Sequence, residues 1–188
     1  MNLITTERLL LRNWEERDRE LFHRINSDDT VMEFFPFRRN REEADRVFDV
    51  IRAGIDKMGF GFAAIELRET GQCLGFAGLS TVVDTPPLPD GAIEIGWRLA
   101  QEYWGKGYVT EAARAWLQHG FRELGFREII SFAVRDNHRS IAVMERLGME
   151  RQENGDFLHP RVPDAFPHLQ PHVVYRLTRE RWLETTQG

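Results

Sequence analysis

The sequence lacks most of the features that mark secreted, membrane-spanning and nucleic-acid-binding proteins. It has one cysteine, Cys73, which excludes an internal disulfide and a zinc site built from cysteines. No apolar run approaches the length that spans a membrane, and residues 1–12 lack the continuous apolar core of a signal peptide. A net charge of −5 argues against a broad nucleic-acid-binding face. We therefore expect a soluble, cytoplasmic protein with neither a membrane nor a nucleic acid as its partner.

What the sequence does contain is ordinary for a folded domain. Hydrophobic residues make up 41% of its 188 residues and charged residues 29%, which suits a soluble globular protein with a sizeable core. The sequence shows no repeat, no low-complexity tract and no interdomain linker. We therefore expect a single domain over residues 1–188.

Hydrophobic periodicity predicts an alternation of strands and helices. Helical spacing covers residues 15–27, 41–57, 109–124 and 137–147, and strand patterns cover 3–12, 60–68, 72–83, 92–99, 127–135 and 172–177. The stretch 92–135 is strand, helix, strand, so its two strands should be parallel with a right-handed crossover.

The most informative stretch joins the strand that ends at Leu99 to the helix that begins near Val109. Two glycines, Gly105 and Gly107, flank Lys106 immediately before this helix. Glycines allow a close backbone approach, and a helix N-terminus offers unpaired N–H groups with a partial positive charge, so the stretch should bind phosphate. A Walker A loop would need Ser or Thr after Lys106, and a dinucleotide fingerprint would need glycine in place of Thr110. Both of those patterns are incomplete.

Five stretches of the sequence carry recognisable motifs: Thr6-Glu7-Arg8-Leu9-Leu10-Leu11-Arg12, Glu94-Ile95-Gly96-Trp97, Trp104-Gly105-Lys106-Gly107-Tyr108-Val109-Thr110-Glu111-Ala112, Asn137-His138-Arg139-Ser140 and Met144-Glu145-Arg146-Leu147-Gly148-Met149. Taken together, they resemble the motifs of the GNAT superfamily of acyl-CoA-dependent N-acetyltransferases, in particular its RimJ/RimL-like branch. Two positions depart from the general loop of the superfamily. Trp104 stands where glutamine or arginine is usual, and Val109 stands where a small residue is usual.

The resemblance implies a GNAT fold of the α/β (α+β) class. Its central sheet would be mixed and mostly antiparallel, with about six to seven strands and helices on both faces. A parallel strand pair would splay apart near Leu99 and Arg135 to receive the cofactor.

The resemblance also implies acetyl-CoA as the cosubstrate, with no metal. The pyrophosphate would lie on the loop, the pantetheine arm would pair with the end of the preceding strand, and Asn137 would hydrogen-bond the arm. Arg135 or Arg139 could reach the ribose phosphate. The expected cofactor-binding residues are Trp97, Arg98, Leu99, Trp104, Gly105, Lys106, Gly107, Tyr108, Val109, Thr110 and Asn137.

In the implied mechanism, an amine attacks the thioester carbonyl directly. Because a free α-amine has a pKa of about 7.7–8, it must lose a proton first, and Glu94 is the first candidate for the base, ahead of Asp84. Ser140 is the candidate acid for the departing thiolate, with Tyr175 as the alternative, and a backbone N–H near Leu99 could bind the oxyanion. Glu94 could equally form a structural salt bridge, and Ser140 could simply cap its helix.

Several other polar residues have structural explanations. Cys73 fits a small core residue, and the segment from His159 through His168 to His172 is better explained as a substrate-side loop than as a metal site. We therefore expect an N-acetyltransferase that transfers acetyl to a primary amine, either a protein N-terminal α-amine or a small molecule. The alternatives are a non-catalytic acyl-CoA-binding or sensor module and a phosphate-loop NTPase. The expected assembly is a monomer or a homodimer.

Overall fold

A computed structural model describes residues 1–186, which divide into two compact units. The first unit contains Met1–Ser80 and Gly96–Trp116, and the second contains Thr81–Ile95 and residues 117–186. The described residues form five α-helices: α1 Arg19–Ser27, α2 Arg41–Met58, α3 Tyr108–Arg122, α4 His138–Arg146 and α5 Arg179–Thr186. They also form nine strands: β1 Asn2–Thr5, β2 Leu9–Arg12, β3 Phe62–Leu67, β4 Gln72–Thr81, β5 Ile93–Leu99, β6 Glu128–Val134, β7 Glu150–Arg151, β8 Phe157–Leu158 and β9 Pro171–Thr178.

The first unit is built on an antiparallel meander in which β1 pairs with β2, β2 with β3 and β3 with β4. Its core is aromatic: Trp14 packs edge-on against Phe22 with ring centroids 5.0 Å apart, and Phe48 and Phe76 complete the cluster. Helix α2 begins with a capping box at Asn40 and ends at Gly59, whose left-handed conformation is typical of a glycine at a helix C-terminus.

The end of β5 lies against β4 because β4 has a glycine at the contact. Gly75 has φ 142°, and a Cβ there would lie 2.2 Å from the Arg98 carbonyl oxygen. A side chain is therefore excluded at this position. The Ala100 N–H donates to the Leu74 carbonyl at 3.0 Å, which fixes the chain just after β5.

The second unit is organised around β9, which pairs antiparallel with β6 over seven residues and also pairs with β7 and β8. The first half of β5 runs parallel to β6, with Glu94 opposite Ile130 as their paired residues. This confirms the predicted parallel pair. Thr178 precedes α5 and accepts from the Arg181 N–H at 3.3 Å, as expected of a helix cap.

The prediction of one strand over residues 3–12 was wrong. A turn divides the segment into β1 and β2, and Thr6 closes it: its N–H donates to the Leu9 carbonyl at 2.9 Å and its hydroxyl oxygen accepts from the Leu9 N–H at 3.0 Å. Strands β7 and β8 were missed because two residues carry no periodicity. No helix within residues 1–186 is both long enough and apolar enough to cross a membrane.

Candidate active site

The predicted phosphate loop has the backbone conformation that its glycines suggest. Gly105 and Gly107 adopt φ 72° and 79°, in the left-handed region, and α3 begins directly afterwards at Tyr108. Both glycines and Lys106 between them are exposed. The loop therefore presents accessible backbone and one cation at a helix N-terminus, an arrangement that suits an anion.

Trp104 fixes the start of this loop. Its indole Nε1 donates to the Leu99 carbonyl at 2.9 Å, which ties the loop to the last residue of β5. This bond gives a structural role to the residue that departs from the general pattern of the superfamily. Val109, the other departure, is half-buried and fits within the first turn of α3 without a break in the helix.

A cluster of polar side chains holds the loop from the other side, and sequence reasoning missed it. The Glu111 carboxylate accepts from the Thr6 hydroxyl at 2.6 Å, from the Arg8 N–H at 2.9 Å and from Arg8 Nε at 2.6 Å. Arg8 Nη1 also donates to the Lys106 carbonyl at 3.0 Å, and its guanidinium lies 4.7 Å from the Tyr108 ring centroid. We call Thr6, Arg8 and Glu111 the loop clamp.

The loop clamp keeps Glu111 ionised. Burial raises the pKa of Glu111, but the hydrogen bonds from Thr6 and Arg8 together outweigh burial, so the net pKa lies below its ordinary value. The residues of the loop clamp lie within recognisable motifs, because Thr6-Glu7-Arg8 and Thr110-Glu111 both belong to stretches that resemble GNAT sequences. Their pairing across about a hundred residues could not be inferred from one sequence.

In the second unit, Glu94 is an unusual carboxylate. It is half-buried on β5, and its side chain forms no hydrogen bond or ion pair with any residue that the structure describes. Burial raises its pKa to about 7, and the charge of Arg161 opposes the rise without cancelling it. Such a carboxylate can take up and release a proton near neutral pH, which the predicted base requires.

Asp84, the alternative base, lies in different surroundings. It is an exposed loop residue with φ 47°, and its N–H donates to the Asp90 carboxylate at 2.9 Å. Its side chain is exposed to water, whereas that of Glu94 is half-buried. The contrast favours Glu94.

Asn137 caps α4. Its side-chain oxygen accepts from the Ser140 N–H at 3.2 Å, so the cap uses the Ser140 backbone and not its hydroxyl. Tyr175, the alternative acid, donates its hydroxyl to Glu145 at 3.3 Å. Burial and then the neighbouring Glu145 raise the pKa of Tyr175, which makes Tyr175 a weaker acid than a free tyrosine.

His159 and His172 lie together in an aromatic cluster with Phe132 and Phe157, with the two imidazole centroids 4.8 Å apart. Burial, with His172 and Arg161 nearby, lowers the pKa of His159 to about 4, and burial also lowers that of His172. Both rings are therefore neutral at pH 7. Residues 1–186 hold no group of three or more His, Cys, Asp or Glu side chains placed to bind a metal ion.

These features agree with a comparison against known families, in which the model described as "Acetyltransferase (GNAT) domain" matches residues 8–150. The chain belongs to the GNAT acetyltransferase family. It is therefore an acyltransferase enzyme, and acetyl-CoA is the cosubstrate that GNAT acetyltransferases use.

Individual GNAT relatives match over nearly the whole chain. An "Uncharacterized N-acetyltransferase YnaD" of Bacillus subtilis (strain 168) is 32% identical over 95% of this chain and 98% of its own. An "FsC-acetyl coenzyme A-N(2)-transacetylase" of Aspergillus fumigatus is 29% identical over 95% and 77%. The crystal structure of a GNAT-family acetyltransferase from Bacillus anthracis is 28% identical, with a TM-score of 0.78 over 94% of this chain and 98% of the other. The mixed α/β GNAT fold predicted from the sequence is confirmed.

Proposed function

We propose that the protein transfers an acetyl group from acetyl-CoA to a primary amine by direct attack within a ternary complex. The observation that carries the proposal is Glu94, a half-buried residue whose side chain forms no hydrogen bond or ion pair among the described residues and whose pKa is raised to about 7. We also propose that residues 1–188 act as one acetyltransferase domain of the RimJ/RimL-like branch. The acceptor would be a protein N-terminal α-amine or a small-molecule amine.

In this proposal the exposed loop binds the pyrophosphate through backbone N–H groups, with added positive charge from Lys106. The clamped conformation of the loop supports this role because Gly105 and Gly107 keep their backbone open to a ligand. The pantetheine arm pairs with the backbone of Trp97–Leu99, and the Asn137 amide donates to it. The parallel ladder between β5 and β6 has Glu94 and Ile130 as its paired residues, which supports a strand pair that separates beyond them.

Two protein side chains, Glu94 and Ser140, move protons in the proposed reaction. Glu94 takes a proton from the ammonium form of the acceptor, directly or through water, and the neutral nitrogen attacks the thioester carbonyl. The C–N bond forms, the nitrogen releases its second proton to solvent, and the C–S bond breaks. The CoA thiolate takes a proton from the Ser140 hydroxyl, which solvent restores. A backbone N–H near Leu99 stabilises the oxyanion.

Ligand binding tests the cofactor. Acetyl-CoA should raise the melting temperature, because a ligand that binds only the folded state stabilises it, whereas ATP and NAD should not. Stabilisation by Mg-ATP in place of acetyl-CoA would indicate a phosphate-loop NTPase and contradict the proposal.

Turnover tests the chemistry. A thiol-release screen over peptides, polyamines and amino compounds should find an acceptor, and Glu94→Gln should lower its kcat about 100-fold, the lower end of what general bases contribute. The matched control is Glu128→Gln, which removes an exposed carboxylate paired with Arg176 on the neighbouring strand. Acetyl-CoA binding without thiol release for any amine would indicate a sensor module instead.

A further inference from the structure

In the first unit, two guanidinium groups converge on one neutral oxygen. Arg98 Nη1 donates to Asn26 Oδ1 at 2.7 Å, and Arg39 Nη1 donates to the same atom at 2.9 Å. The orientation of this amide is fixed, because Asn26 Nδ2 donates to the Phe22 carbonyl at 2.7 Å and only 1% of Asn26 is exposed. We call Asn26, Arg39 and Arg98 the arginine pair site.

No described carboxylate forms an ion pair with this site; the nearest acidic influence is the charge of Glu43, which acts on Arg39 but does not offset the lowering of its pKa by burial. Within residues 1–186, neither Arg39 nor Arg98 forms an ion pair, whereas the buried Arg12 of the same unit is paired with Asp18 at 2.6 Å and Glu66 at 2.7 Å. Burial, with the neighbouring Arg39 charge second, lowers the pKa of Arg98 to about 9. Both groups remain charged at pH 7, so the fold holds two positive charges together against their repulsion.

Aromatic rings hold the guanidinium groups in place. The Arg98 Cζ lies 4.3 Å from the Phe35 ring centroid and 5.3 Å from that of Phe76, and the Arg39 Cζ lies 4.4 Å from that of Phe37. In such cation–π contacts the face of the ring attracts the cation electrostatically. Each guanidinium has five N–H donors, and Asn26 takes one from each, so donors remain for a planar anion.

Arg39 and Arg98 are both half-buried, so each side chain keeps some exposure to solvent. Arg39 borders an open hollow that is lined by Phe37, Arg38, Arg39, Glu43, Arg46 and Val47. Arg98 follows the proposed base, Glu94, by four positions in the sequence of β5. The predicted role of Arg98 in cofactor binding concerns its backbone, which leaves the side chain for another ligand.

We propose that Arg98 and Arg39 bind a carboxylate of the acceptor, so that the acceptors are small amines that carry a carboxylate, such as free amino acids. Arginine suits this ligand because its planar fork matches the two carboxylate oxygens. That the bound carboxylate belongs to the acceptor rests on the proposed function, whereas the existence of an anion site rests on the arginine pair alone.

Binding without turnover is the first test. With CoA present at saturation, calorimetry measures the affinity of a panel of N-acetylamino acids and of the matching N-acetylamino acid amides. The acids should bind at least tenfold more tightly than the amides, and Arg98→Met should abolish that preference. Equal affinity for acids and amides, no binding of any acid, or a preference that survives in Arg98→Met would overturn the inference.

The controls separate loss of the site from loss of the fold. Arg98→Lys keeps a charge but lacks the fork and should retain part of the preference. Arg41→Met removes an exposed arginine that already pairs with Glu20 and Asp45, and it should bind the panel as the wild type does. CoA should still bind Arg98→Met; if saturating CoA instead displaces the acids from the wild type, the arginines serve the cofactor and the inference fails.

Turnover distinguishes the two proposals. Amino acids should be acetylated with a kcat/KM at least tenfold above that of their amides, mostly through KM, and Arg98→Met should bring the two together. Acids that bind at Arg98 but are never acetylated would contradict the proposed function and leave the anion site. Amides or neutral peptides acetylated as fast as free amino acids would leave the transferase and remove the carboxylate site.

Discussion

At the scale of single residues, Asn137 shows how one side chain can serve both the fold and the ligand. Its oxygen caps α4 by accepting from the Ser140 N–H at 3.2 Å, and its amide N–H₂ is the group that the proposed function assigns to the pantetheine arm. An alanine substitution would remove both contributions at once. A substitution that keeps the acceptor and removes the donor would separate them.

Asn137→Asp is that substitution. The aspartate still accepts from Ser140 and places a negative charge at a helix N-terminus, so we expect a melting temperature at or above that of the wild type. Asn137→Ala should lower stability by about 1 kcal/mol, or roughly 2–4 °C for a chain of this size. Both variants should bind acetyl-CoA about fivefold more weakly, for the loss of roughly one neutral hydrogen bond.

Thermal unfolding and calorimetry measure the two effects separately. Unchanged acetyl-CoA affinity in Asn137→Asp would remove the amide from cofactor binding and leave Asn137 as a helix cap. The sequence indicated the cap, because Asn137 precedes an amphipathic segment. Alternation along the strand also indicated that Glu94 points away from the apolar face of β5. The raised pKa of Glu94 and its lack of a side-chain hydrogen bond within residues 1–186 depend on neighbours that a local pattern does not specify.

At the scale of elements, the loop clamp links the N-terminal turn to the first turn of α3. Glu111 accepts three hydrogen bonds from Thr6 and Arg8, and Arg8 donates one more to the Lys106 carbonyl. The same turn is where the strand prediction over residues 3–12 failed. The strand pattern of Leu9-Leu10-Leu11 is a local signal and lies within β2, whereas the turn at Thr6 is stabilised partly by Glu111, a residue of another element.

Glu111→Gln should loosen the phosphate loop. A glutamine keeps the size of the side chain but loses the charge that Arg8 pairs with, and its N–H₂ cannot accept from Thr6 or Arg8. We expect acetyl-CoA affinity to fall about three- to tenfold, for a loss of roughly 1 kcal/mol in charge-assisted bonds at a partly exposed site. Calorimetry of acetyl-CoA binding at low salt checks this expectation.

Glu123→Gln, an exposed glutamate just after α3, is the matched control and should bind acetyl-CoA as the wild type does. An affinity in Glu111→Gln equal to that of this control would show that the clamp does not set the loop conformation. The loss in Glu111→Gln should also appear in Arg8→Met, because Arg8 supplies the bonds to both Glu111 and Lys106.

At the scale of the whole chain, the sequence was sufficient for helices α1 to α4, the parallel pair and the family, because each of these depends on patterns of nearby residues. The loop glycines were identified for the same reason: positive φ follows from residue type. The sequence was not sufficient for the division of residues 3–12 into two strands or for β7 and β8. The loop clamp and the arginine pair site could not be predicted, because Arg8 with Glu111 and Asn26 with Arg98 are far apart in sequence. Only the fold brings such pairs together.

The pH dependence of overall stability tests the burial of Glu94. Burial raises its pKa from 4.5 to about 7, so between those values the folded protein binds this proton and the unfolded chain does not. The stabilisation is full below pH 4.5 and is lost as the pH rises through 7, where the folded state must hold a partly buried charge. Glu94→Gln never carries that charge. Its stability relative to the wild type should therefore increase from pH 5 to pH 8, by at most about 3 kcal/mol, because water screens the half-exposed carboxylate.

Melting temperatures of the wild type, Glu94→Gln and Glu128→Gln at pH 5 and pH 8 measure this increase. Glu128 is exposed and paired with Arg176, so its variant should shift by a similar small amount at both pH values. If Glu94→Gln gains no stability relative to the wild type between pH 5 and pH 8, then Glu94 ionises as easily in the folded state as in the unfolded chain. It would then lack the raised pKa that suits it to accept a proton near neutral pH, and the assignment of the base would have to move to another group.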